Sequence, residues 1–341
     1  MISVIIPTKN NACTVKYSVK SVLESLSELD LPWEVVIVDA HSTDGTVDAV
    51  LKVMKEKGLE NRLRVLYDEG RGIGAARNLG VKESRGDIIF FVDADCLVEK
   101  NHFRKLLENL RGKVGLVWTS GVWMRFPVSR KNGFLKIMNS HVKIYSIIEE
   151  PEKEGTTYIA STALSCVSRK VFNEVGGFWE FPFASEDMDF SYRVIKKGYE
   201  IRKVKTRSIA LPRSSLLDMI KQQIWYGRGS SVIYYLYGKE EMFWKIHGWG
   251  FLHKLGFPLN YVALILGTVI SAFIFAPITL LFSPSLSIKK KSFVKLDLTS
   301  RILFEFIDRM AYAWGFLTGL FMSIRAVKKR KSVDIGEFNE N

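Results

Sequence analysis

Residues 87–96 read DIIFFVDADC and constrain the fold more than any other stretch of the chain. Ile88, Ile89, Phe90 and Phe91 make a run too short for a helix, and its residues are β-branched or aromatic. It therefore reads as a buried strand of a mostly parallel sheet. Asp93 and Asp95 follow at its carboxyl end, with the small Ala94 between them. In an open α/β sheet that end is where ligands bind. Carboxylates beside a core strand need a positive partner or a turn to cap. A Mg2+ or Mn2+ carrying a diphosphate supplies the first, and the start of the next turn or helix supplies the second.

The segments before it repeat a strand-then-helix rhythm. Residues 3–6 form a strand stopped by Pro7, and Val15, Val19, Val22, Leu23 and Leu26 then recur at helical spacing. Residues 34–38 form a second strand ending on Asp39, followed by HSTDGT, where Ser42, Thr43 or Asp44 can cap a helix through Val47, Val50, Leu51 and Met54. Asp39 thus stands where Asp93 stands, either to meet a base or ribose or to stabilise its own turn. Residues 62–67 read as a third strand leading into EGRGIGAARNLG. There Gly70, Gly72 and Gly74 allow close backbone approach to a ligand, and Arg71 and Arg77 offer charge to phosphate. A helix through Phe103, Leu106, Leu107 and Leu110 and the strand Val114–Trp118 continue the α/β alternation.

Further on, 163–167 reads as a strand, Arg169–Val175 as a short helix, and GGF as a turn. Glu186, Asp187 and Asp189 stand just ahead of a helix bearing Phe190, Val194 and Ile195, an acidic start that also suits the helix dipole. Residues 199–204 read as a late strand, and Ser214 or Ser215 starts a helix containing QQIWYGRG at 222–229. Apolar residues between 121 and 154, among them Trp123, Phe134 and Tyr145, either line an acceptor groove or pack on the sheet.

Composition narrows the partners. The formal charge of +13 calls for an anionic partner such as a nucleotide or lipid phosphate. No zinc-finger spacing or RNP-type motif supports nucleic acid as that partner. The G-x-G-x-x-G and G-x-x-x-x-G-K-[ST] phosphate loops are absent, as is the glycine-rich start of sugar nucleotidyltransferases. Cys13, Cys96 and Cys166 are scattered and odd in number, which fits a reducing compartment. Strand-like ISVII directly after Met1 leaves no room for a secretory signal, so the first domain is expected in the cytosol.

IIPTKNN, IVDAHSTDGT, GAARNLG and FFVDADC, in this order and spacing, resemble the nucleotide-binding half of family 2 inverting glycosyltransferases of the GT-A fold. The resemblance extends over 1–235 and implies a single α/β glycosyltransferase domain there. It implies donor contacts from Pro7, Thr8, Asp39, Arg71, Arg77, Asp93, Ala94 and Asp95, with Asp93 and Asp95 also holding a Mg2+ or Mn2+. FASEDMD matches the ED motif of the family, which makes Asp187 the general base with Glu186 beside it. Asp189, Gln222, Gln223, Trp225 and Arg228 are then expected near the acceptor or the diphosphate. The stretch departs from the QxxRW form of processive synthases, so transfer of one sugar is expected.

The last third carries the membrane expectation. Residues 257–282 contain no charge and are long enough to span a bilayer, while 310–324 form a second, shorter apolar stretch that crosses, re-enters or lies in the interface. Residues 236–256 suit an amphipathic juxtamembrane segment, and basic clusters at 289–291 and 328–331 precede a short tail that turns acidic. Taken together, the expected protein transfers a sugar from a nucleotide-sugar, UDP-linked by preference, to a hydroxyl of a lipid-linked or glycolipid acceptor at the cytosolic leaflet of the cell membrane. The alternatives are a polyprenyl-phosphate sugar synthase and a non-catalytic nucleotide-sugar- or lipid-binding membrane protein.

Overall fold

Alternating residues of the early strands are apolar on both faces, so the sheet they form must be covered on both sides. The strands are β1 (Ile2–Thr8), β2 (Trp33–Asp39), β3 (Leu63–Tyr67) and β4 (Ile88–Val92). On one face Ile2, Val4, Ile6, Val35, Ile37, Phe90 and Val92 pack against helices α1 (Ala12–Leu26), α2 (Thr46–Glu56) and α4 (His102–Asn109). On the other, Ile5, Val36, Val38, Ile89 and Phe91 pack against α3 (Ile73–Glu83), α5 (Arg169–Val175) and α6 (Glu186–Lys196). The result is a three-layer α/β/α arrangement. The structure is a computed structural model that describes residues 1–119, 122–123, 154–180, 184–210, 216–240 and 310–319, with single positions at 266, 307 and 322.

The remaining strands are β5 (Cys96–Leu97), β6 (Val114–Trp118), β7 (Val122–Trp123), β8 (Gly155–Thr157), β9 (Leu164–Ser168), β10 (Glu200–Lys203) and β11 (Ile209–Ala210). The main sheet has eight strands in the order β3-β2-β1-β4-β9-β6-β10-β8. Its first four are parallel, while β9 runs antiparallel to both β4 and β6. A second sheet, β5-β11-β7, starts immediately after Asp95. The expected mostly parallel sheet is therefore present, with an antiparallel insertion at β9 and an antiparallel edge strand, β8.

Several element edges differ from expectation for local reasons. Pro7 does not stop β1 but lies inside it, opposite Val38. Because β4 pairs with β1 only as far as Ile5, one edge of β1 is open there and a missing N–H costs little. No side chain caps α2 from its N-cap residue, Gly45, which takes φ of 84°; Asp44 Oδ1 instead accepts from the Thr46 N–H at 3.1 Å. Leu51, expected on the buried face of α2, is exposed. Glu186, Asp187 and Asp189 are not ahead of α6 but form its first turn.

The described residues divide into two compact units, the first comprising 1–119, 122–123, 154–180 and 186–210 and the second 184–185, 216–240 and 310–319. Helix α7 (Leu216–Tyr237) belongs to the second unit, where Gly227 and Gly315 let its backbone approach the helical residues 310–319 closely. A Cβ on Gly315 would stand 2.1 Å from Ile224 O. Among the described residues no helix is long and apolar enough to cross a membrane. The expected span 257–282, apart from 266, lies outside the described residues, as do 241–256, the basic clusters and all of 124–150.

Candidate active site

The parallel strands end together, and their last residues are polar. Thr8 faces Asp39 across β1 and β2, Asp39 faces Tyr67 across β2 and β3, and Asp93 follows β4. Asp39 is 1% exposed and spends its carboxylate on its surroundings. Oδ1 accepts from Thr8 Oγ1 at 2.7 Å and Ser42 Oγ at 2.6 Å, and Oδ2 accepts from the Ser42 N–H at 2.7 Å. Ser42 Oγ in turn accepts from the Asn10 N–H at 2.8 Å, which ties the loops after β1 and β2 together. Beside them the exposed rings of His41 and Tyr67 stack at 5.5 Å and 19°.

Asp93 and Asp95 both keep part of their surface open, and Ala94 between them is buried. The Cys96 N–H donates to Asp93 O at 2.9 Å, closing a tight turn. Asp93 Oδ1 accepts from Arg77 at 2.8 Å. Among the described residues no group of three or more His, Cys, Asp or Glu could enclose a metal. Two partly open carboxylates are a donor set suited to Mg2+ or Mn2+, which take oxygen ligands and keep several from water and phosphate. The residues present thus fit a divalent cation, which Asp93 and Asp95 would hold.

Arg77 joins this edge to the acidic start of α6. Its guanidinium is 2% exposed and donates to Asp93 at 2.8 Å and to Glu186 Oε1 at 2.5 Å, with the Phe178 ring 5.6 Å away. Burial works against the charge on Arg77, but Asp93 and Glu186 outweigh it and hold the group above its ordinary value. One cation is shared among several carboxylates, so burial leaves Glu186 above the usual range despite the pull of Arg77. Asp187, half-buried beside it, is pushed up to about 7, first by burial and then by the neighbouring Glu186. Ser185, just before α6, adopts φ of 81°, a strained conformation of the kind that persists where surrounding structure enforces it.

The other expected residues are placed differently. Arg71 is well exposed and pairs with Glu69 at 3.4 Å and Glu180 at 2.5 Å. Asp189 is fully buried, and its Oδ2 accepts from Arg193 at 2.9 and 2.6 Å, while Arg193 also donates to Val175 O and Gly177 O. It has no open surface for an acceptor and instead pins α6 to the turn after α5. Gly74 brings α3 against backbone of its own chain, since a Cβ there would stand 2.6 Å from Trp179 O. Gln222, Gln223, Trp225 and Arg228 all lie on α7 in the second unit, where Gln222 donates to Tyr226 at 3.1 Å and Arg228 to Thr318 at 3.3 Å. Asn78 and Glu180 were not anticipated. Asn78 both donates to Phe178 O at 2.8 Å and accepts from its N–H at 2.9 Å, and also donates to Glu180 at 3.1 Å. Asn78 follows Arg77 directly in the GAARNLG motif, whereas nothing in the sequence marks Glu180.

A doubly covered parallel sheet with acidic and hydroxyl residues at its carboxyl edge defines a nucleotide-binding α/β enzyme class. The chain belongs to Glycosyl transferase family 2, whose sequence model matches residues 3–176, just over half of its length. It is a glycosyltransferase of GT-A fold. A relative in Methanococcus voltae, a dolichyl N-acetyl-alpha-D-glucosaminyl phosphate 3-beta-D-2,3-diacetamido-2,3-dideoxy-beta-D-glucuronosyltransferase, is 24% identical over 332 residues, covering 94% of this chain and 97% of its own. The putative teichuronic acid biosynthesis glycosyltransferase TuaG of Bacillus subtilis is 34% identical over 205 residues, 58% of this chain and 73% of its own. Among solved structures, the mannosyltransferase PcManGT from Pyrobaculum calidifontis, in complex with GDP-Man and Mn2+, superposes with a TM-score of 0.58. It is 19% identical and covers 93% of this chain and 86% of its own, a likeness of fold.

Proposed function

We propose that the protein is a membrane-anchored inverting glycosyltransferase that moves one sugar from a nucleotide-sugar, UDP-linked by preference, to a hydroxyl of a lipid-linked acceptor at the cytosolic leaflet. The observation that carries the reading is Asp187: a half-buried carboxylate, raised to about 7, next to a residue that shares Arg77 with Asp93. A general base works best when its pKa lies near the operating pH. In this reading Asp187 accepts the proton of the acceptor hydroxyl as that oxygen bonds to the anomeric carbon. The bond from that carbon to the diphosphate oxygen breaks on the opposite face, and the nucleoside diphosphate departs. A divalent cation held by Asp93 and Asp95 would neutralise charge on that departing group. Asp39, with Thr8 and Ser42, shapes the end of the site toward the base or ribose. The Methanococcus voltae relative, matched over nearly its whole length, bears a name that specifies a dolichyl-phosphate-linked acceptor, which supports the lipid-linked class here. An ionised phosphate acceptor would need no base, so a raised Asp187 favours a hydroxyl.

The test is release of nucleoside diphosphate from a panel of UDP- and GDP-sugars, using protein in membranes with a crude lipid extract and Mg2+ or Mn2+. Release that requires lipid, cation and Asp187 is the expected result. Release that survives Asp187→Asn would sink the assignment of the base. Release without lipid would sink the acceptor class.

A further inference from the structure

The family resemblance puts Arg77 in the nucleotide pocket, yet its side chain is 2% exposed and is already shared by two carboxylates from distant parts of the chain. We propose that Arg77 is a positioning residue for the general base: by holding Asp93 with one terminal nitrogen and Glu186 with the other, it sets the start of α6, and with it Asp187, against the diphosphate side of the site. This rests on the reading of Asp187 as base.

The geometry is that of a fork. The two terminal nitrogens donate to Asp93 at 2.8 Å and Glu186 at 2.5 Å, and the Nε makes no hydrogen bond among the described residues. An ammonium is a point charge and cannot reproduce two divergent bonds fixed in one plane. The neighbours of Arg77 hold the same segment of chain. Asn78 clasps Phe178 through both its N–H and its carbonyl, Arg71 meets Glu180 at 2.5 Å, and Gly74 allows α3 to approach Trp179. Phe178, Trp179, Glu180 and Glu186 are thus each tied to α3 or the loop before it, and Arg77 is the last of those ties before the base. Glu186 is only 5% exposed, so without the guanidinium it would be a buried charge facing Asp93 and Asp187. A role of this kind needs no contact between Arg77 and the donor.

The experiment compares Arg77→Lys, Arg77→Met, Glu186→Gln and the double variant Arg77→Met/Glu186→Gln with the full-length wild type. The double variant removes the bridge without stranding Glu186 as an unpaired charge, so it keeps the test valid should Arg77→Met alone fail to fold. Turnover and donor KM are read in membranes, and UDP and GDP affinity by titration in chelator, which needs neither metal nor turnover. Expected are a fall in kcat of about 100-fold for both Arg77 single variants, a donor KM within about 3-fold, and unchanged nucleotide affinity in chelator. The double variant should be no slower than the slower single variant. A loss of nucleotide affinity matching the loss of kcat would overturn the proposal, because Arg77 would then act on the donor. Losses that multiply in the double variant would overturn it too. Equal turnover of wild type and Asp187→Asn would instead overturn the reading beneath it.

Discussion

Thr8 Oγ1 donates to Asp39 Oδ1 at 2.7 Å from the residue directly opposite in the neighbouring parallel strand. The pair lies where both strands run out of sheet, and Thr8 is 4% exposed and Asp39 1%. Thr8→Val keeps the shape and removes the donor, leaving a buried carboxylate one bond short. The expected cost is about 1–2 kcal/mol of stability, read by urea unfolding, with weaker nucleotide binding as the β1 and β2 loops lose their tie. Stability equal to wild type would show that the remaining Ser42 bonds suffice.

Asp187 should impose an acidic limb on turnover. A base must be ionised, so kcat is expected to rise with pH through about 7 and flatten above it, and a pH–rate profile reads the limb directly. For stability the sign is opposite. The folded state keeps the proton from an unfolded value near 3.8 up to about 7, so stability falls as pH rises across that window. Asp187→Asn should therefore be inactive yet melt higher than wild type at pH 8, by about 1–2 kcal/mol once solvent screening at the half-exposed site is allowed for. The gap should shrink as pH falls toward 4. A variant that melts lower at pH 8 would contradict the raised value.

Two acids separated by less than one hundred residues of chain should respond in opposite ways. Asp95→Asn is expected to weaken Mn2+ binding by about 10-fold or more while barely changing the melting temperature. Asp189→Asn should leave Mn2+ binding intact and cost about 3 kcal/mol, since Arg193, 17% exposed, loses its buried partner. Paired Mn2+ titrations and thermal melts separate the two. Loss of Mn2+ binding in Asp189→Asn alone would reverse the assignment.

Gly74→Ala tests the contact between α3 and the segment before the acidic motif. The added Cβ would stand 2.6 Å from the carbonyl oxygen of Trp179, a backbone atom that cannot rotate away. Stability should drop by about 1–3 kcal/mol, and kcat should fall more than donor KM rises. A variant with unchanged kcat would show that this contact is only structural.

How much of this was legible in the sequence varies with the range of the interaction. The residues of β1 to β4 alternate between two apolar faces within a few positions, so their strands were readable to within one or two residues. Asp39, Asp93 and Asp95 were readable as strand-end carboxylates because the strand ahead of each was. The fate of Arg77 was not, since an arginine in a glycine-rich stretch looks the same whether it meets a phosphate or two buried carboxylates. Its burial depends on Glu186, 109 residues away. The same holds for Asp189, whose partner Arg193 lies one helical turn on and could have been paired by spacing, but whose complete burial depends on packing. Strands β5, β7 and β11 have two residues each, too few for any period to show.

The three-stranded sheet β5-β11-β7 has a consequence for assembly. Cys96, the residue after Asp95, pairs with Ala210, and β10 fills the main sheet between β6 and β8. The turn carrying Asp93 and Asp95 is thus held by chain made more than one hundred residues later. Contacts over such separations form late, so on the ribosome the turn carrying Asp93 and Asp95 should be the last part of the first unit to take its final form. The first four strands can collapse early, but a chain cut at residue 176, where the family match ends, would lack both β10 and β11 and should hold an open edge in place of a finished site.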